Sequence, residues 1–127
     1  MKSIEKNMWK MKRETLNRQE TVDNFCDACI TLAARDRRKV ERFLERHAYP
    51  KIGAESGYRE RWTKKEMRAC YNELRDISPK VANAWRPSMA YLLEMGLSRY
   101  YVRLAFEVLA DSLECRTWIE NSSDDCL

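Results

Sequence analysis

Cys26-Asp27-Ala28-Cys29 has the spacing by which two thiolates can share a metal ion. A structural zinc site needs four such ligands. To complete the set the chain offers the lone His47 and scattered cysteines such as Cys70 and Cys115, with no second C-x-x-C and no H-x-x-x-H pair. Both cysteines also share a helical stripe with Val22, Phe25, Ile30 and Ala33, a setting in which cysteine is usually a small buried hydrophobe. A redox role requires the motif to open a helix after a strand, whereas here it lies inside a helix. No metal and no cofactor are expected.

Acid–base or nucleophilic catalysis has equally little to build on. His47 is the single histidine, and the sequence contains no H-E-x-x-H, G-x-S-x-G, P-loop or dinucleotide-binding glycine pattern. Glu41 and Glu45 sit one turn apart near His47, but carboxylates at such spacing ordinarily pair with neighbouring arginines on a solvated helix face. The expectation is a protein that is not an enzyme.

Cationic rows carry more information. Arg35, Arg38, Lys39, Arg42 and Arg46 recur at three- and four-residue steps in "RDRRKVERFLERH", opposite Val40, Phe43 and Leu44. At about 1.5 Å per residue they line roughly 16 Å of one helix face. A second row is Arg61, Lys64, Lys65, Arg68 and Arg75, with Arg59 and Trp62 at its start. Rows of this length can neutralise several phosphates and supply non-specific affinity for DNA or RNA. The plainer account is a solvated charged face, since Asp36, Glu41, Glu45, Glu60 and Glu66 interleave with the cations.

The stretch "MAYLLEMGLSRYYVRLAFEVL" (residues 89–109) admits a helix-turn-helix. Gly96 would supply the turn, Val102 the inward packing, and Ser98, Arg99, Tyr100 and Arg103 the base-reading turn of a recognition helix. Bulky Leu92 stands where that motif prefers a small residue, and the second helix is apolar nearly all round beyond Arg103. An αα-hairpin therefore leads for this stretch. "NELRDISPKVANAW" has the opening of a recognition helix but carries Asp76 in place of the turn glycine.

The elements that would position these groups are helical. Only three glycines and three prolines occur in 127 residues, too few for the turns of a sandwich or barrel. The first segment, Ser3 to Gln19, sets Ile4, Met8, Met11 and Leu16 near a 4-3 spacing, and a second helix begins near Thr21. It either continues through His47 or breaks near Asp36, a candidate N-cap. "YPKIGAESGY" reads as a linker. Thr63 and Glu66 form a capping box, and Ser78 with Pro79 opens a short helix. Pro87 opens another that Gly96 ends, and Ser98 starts a last helix running to about Glu120.

The expected architecture is all-α, a single-domain bundle of five to seven helices with a central buried C-terminal helix. Residues 1–48 supply amphipathic helices with a basic face, 49–61 the linker, 62–120 the helical core and 121–127 a polar tail. The basic charge is N-terminal: residues 1–75 hold 19 Lys and Arg against 12 Asp and Glu, and residues 76–127 hold 5 against 8. That asymmetry favours an anionic partner. Two classes fit, a small regulatory protein binding nucleic acid through the basic rows, or an adaptor or inhibitor that offers Trp9, Tyr58 and Trp62 among arginines to an acidic protein surface. The first segment could equally serve a homodimer. No run approaches the roughly 18 apolar residues of a membrane span, and the charged N-terminus lacks the features of a secretory signal, so the expected setting is cytoplasmic, with the five cysteines reduced.

Overall fold

The computed structural model describes residues 18–49 and 61–125. Five helices pack together: α1 over residues 18–30, α2 Ala34–Ala48, α3 Lys64–Ile77, α4 Pro79–Glu94 and α5 Arg99–Asp125. Among the described residues the sole extended pairing is an isolated bridge between Arg61 and Ser98.

Local chemistry sets most boundaries. α1 closes with the Thr31 hydroxyl and the Leu32 N–H donating back to the carbonyls of Ala28 and Cys29. The α1–α2 break falls before Asp36. α2 is entered through extended Ala33, which provides no side-chain cap, and Asp36 lies in the first turn, where its charge meets the positive end of the helix dipole. Thr63 and Glu66 form the expected capping box, with Glu66 N–H donating to Thr63 Oγ1 at 3.1 Å. Ser78 alone joins α3 to α4, because Pro79 forces the preceding residue into an extended conformation. Its N–H closes α3 on the Leu74 carbonyl and its Oγ accepts from Val81 N–H.

Two expected helices merge. α4 runs unbroken through Pro87, although proline there removes one backbone hydrogen bond. Val81, Ala82 and Trp85 before it and Leu92 after it are all buried on one core, and that packing outweighs the local break. At its end α4 adopts a Schellman motif. Leu97 N–H reaches the Leu92 carbonyl at 2.9 Å and Gly96 N–H reaches Leu93 at 3.1 Å, with Gly96 at φ 76° and Leu97 at φ 57°. α5 continues to Asp125, beyond the helix end expected near Glu120.

One apolar cluster draws on all five helices, including Phe25 and Cys29 of α1, Phe43 and Leu44 of α2, Met67 of α3, Trp85 of α4 and Phe106 of α5. Each large side chain buried there contributes about 1.5–3 kcal/mol. Phe106 lies at its centre: it stacks on Trp85 and His47 and meets Phe43 edge-on, at 5.6, 5.1 and 5.7 Å between ring centres. α5 packs chiefly on α2, and α3 on α4. The burial of α5 is one-sided. Val102, Phe106, Leu109 and Leu113 are buried, while Tyr101, Leu104 and Val108 on its other side are exposed, so α5 is not enclosed on all sides by the described residues.

Candidate nucleic-acid interface

α2 presents its cations outward because Val40, Phe43 and Leu44 commit the opposite side to the core. At 100° per residue, Arg35, Arg38, Lys39, Arg42 and Arg46 fall within about 100° of arc. All five are exposed. Arg35, Arg38, Lys39 and Arg42 line a surface depression of about 320 Å³, and none of these four is in a salt bridge with the described residues. Arg46 is committed elsewhere, paired with Glu73 of α3. The i, i+4 partner expected for the carboxylates appears at Arg37, 3.8 Å from Glu41.

The second row does not join the first. α3 meets α2 through Cys70, whose sulfur lies 3.7 Å from His47 Nε2, and through Glu73. On the α3 wheel, Lys64 is about 180° and Arg68 about 140° from Glu73, so these cations face away from α2. An adjoining depression of about 490 Å³ is lined by Lys39, Arg42 and Arg46 but also by Asp36, Glu73 and Asp76, which places carboxylates between the two helices. Arg61, Lys64, Lys65, Arg68 and Arg75 are exposed, with Arg75 6.0 Å from the Tyr71 ring centre.

The α4–α5 stretch offers few groups for reading bases. Arg99 turns back toward α3, 3.8 Å from Glu66 and 5.8 Å over the Trp62 ring. The chain entering α3 covers the turn itself, with Trp62 N–H donating to the Leu97 carbonyl at 2.8 Å and Arg61 bridged to Ser98. Of the four residues proposed for recognition, Tyr100 and Arg103 remain exposed.

Trp62, expected on the surface as a protein-binding anchor, is instead half-buried against the core, 5.5 Å from the His47 ring and 6.1 Å from Phe106. Trp9, Tyr58 and Arg59 lie outside the described residues. Cys26 and Cys29 are buried, and burial is the largest influence on both thiols, pushing them up to about 11 and about 12. Among the described residues no three His, Cys, Asp or Glu side chains are grouped to hold a metal, and no helix is long and apolar enough to cross a membrane.

Long-range pairs escaped the sequence. Arg116 of α5 pairs with Asp27 of α1, and the Tyr49 hydroxyl donates to Asp111 at 2.9 Å; each joins residues more than 60 positions apart, where periodicity gives no signal. No protein-family model, curated protein or solved structure matches this chain.

Proposed function

We propose that this chain is a small, non-enzymatic regulatory protein that binds nucleic acid through the outer face of α2. The observation that carries the proposal is the group of four exposed cations, Arg35, Arg38, Lys39 and Arg42, without a salt bridge to the described residues and gathered on one face. A phosphate backbone would satisfy them without breaking any ion pair within the protein. Arg46 would join only by leaving Glu73, a loss of about 0–1 kcal/mol for an exposed pair.

Four phosphate contacts correspond to a slope of about −3.6 in log K against log salt, or roughly a hundredfold loss of affinity between 50 and 200 mM. The test is fluorescence anisotropy with random-sequence duplex DNA and with single-stranded RNA at those two salt concentrations. Binding at the lower salt with a steep fall at the higher is expected. Arg38→Glu with Arg42→Glu should abolish it while the circular dichroism spectrum stays helical. If neither nucleic acid binds at 50 mM, the proposal fails, and the acidic protein surface becomes the partner to seek for the same cations.

A further inference from the structure

Carboxylates border the cationic row of α2 on both flanks. Around the helix axis, Glu45 stands about 70° and Glu41 about 110° from the middle of the row on one side, with Asp36 about 110° away on the other. Glu73 and Asp76 of α3 extend that second border, lining the depression beside Lys39 and Arg42. The cations form a crest between two negative flanks.

That arrangement decides how a polyanion can sit. A helix with its side chains is about 10–12 Å across and the major groove of B-DNA is about 12 Å wide, so a helix laid along the groove brings both flanks against phosphate. Here those flanks would meet phosphate with carboxylate. Laid across the groove, the same helix meets phosphate only at its crest, where Arg35 and Arg42 lie about 10.5 Å apart along the axis, close to the width to be bridged.

The crest also carries no ring on which a base could stack. Phe43 is buried and His47 half-buried, both against Phe106, and exposed Tyr49 donates its hydroxyl to Asp111 of α5. Single strands draw much of their sequence-tolerant affinity from bases stacked on aromatic side chains. Arginine and lysine alone draw on counterion release, which is larger for each phosphate of a duplex than of a single strand, about 0.9 ions against about 0.7.

Resting on the nucleic-acid reading above, we infer that the ligand of this face is double-stranded DNA, gripped by its two phosphate backbones across a groove and without regard to base sequence. Phosphate contacts fix position but carry no sequence information. Base edges stay out of reach because the carboxylate flanks keep α2 from sinking between the strands.

The test is competition against a labelled random-sequence DNA duplex, with four unlabelled competitors of equal length: an A·T-only duplex, a G·C-only duplex, single-stranded DNA and duplex RNA. The two DNA duplexes should compete almost equally, with salt slopes of about −3.6, against about −2.8 for the single strand. Carried over the roughly 1.3 decades from 1 M to 50 mM salt, that difference makes the single strand about tenfold weaker. A surface that reads bases changes its affinity by about five- to 150-fold for each base pair altered, so a spread above about tenfold between the two DNA duplexes overturns the inference. Tighter binding of the single strand or of duplex RNA overturns it as well, while leaving the nucleic-acid reading standing. If none of the four competes and the labelled duplex itself does not bind, that reading falls and the inference falls with it.

Discussion

Buried thiols show how one residue type serves packing here. Cys26, Cys29 and Cys70 lie in the core, and burial pushes them up to about 11, 12 and 12 from an ordinary 9.0, so near neutral pH they are protonated and poorly nucleophilic. In a native chain, iodoacetamide should therefore alkylate exposed Cys115 and spare these three until denaturant is added, as peptide mass mapping would show. The same shifts set an alkaline limit. The unfolded chain loses these protons near pH 9 while the folded chain keeps them, so their contribution to stability is complete below 9 and is lost as pH rises toward 11 and 12. Urea midpoints should hold between pH 7 and 8.5 and decline above 9. His47 acts at the other end. Burial, with Arg46 adding to it, lowers its pKa from 6.5, and the stability it contributes is present above pH 6.5 and lost as pH falls through its folded value. The cysteine stripe was legible from spacing alone. The rings around His47 were not, because Phe106 and Trp62 approach it from distant parts of the chain.

At the scale of elements, the boundaries legible in sequence were those written in side-chain chemistry: Thr63 with Glu66, Ser78 with Pro79, and Gly96. The others depended on packing. Pro87 reads locally as a helix start, yet Trp85 and Leu92 on either side of it share one core, so α4 continues and forgoes one hydrogen bond to the Asn83 carbonyl. Pro87 and Asn83 are both exposed, so Pro87→Ala should restore that bond without disturbing the core and raise stability by about 1 kcal/mol or more. Gly96 makes the opposite case. A Cβ there would meet nothing within 4 Å, but its φ of 76° lies in the left-handed region, so Gly96→Ala should cost about 1 kcal/mol through backbone conformation alone. Both changes can be read from urea unfolding with an unchanged m-value. A larger loss at Gly96, accompanied by a change in m, would mean that the Schellman turn had rearranged.

For the whole molecule, the sequence showed an excess of basic charge in the first 75 residues but not its direction. Direction depends on which side of α3 meets α2, and that is settled by Cys70 against His47 and Glu73 against Arg46, pairs more than twenty residues apart. The consequence is two basic rows on different sides, with Asp36, Glu73 and Asp76 lining the depression beside the first. A rigid duplex docked on α2 would not reach Lys64 and Arg68 as well. Two triple variants with equal change in charge separate a face from a general field. Arg35→Gln, Arg38→Gln and Arg42→Gln should reduce the salt slope of duplex binding by about 2.7, the amount for three lost phosphate contacts. Lys64→Gln, Lys65→Gln and Arg68→Gln should leave the slope unchanged and weaken binding only slightly at 150 mM salt, where charges more than about 8 Å from the contact are largely screened. Equal losses from the two triples would mean that the duplex responds to overall charge, and the assignment to α2 would then be wrong.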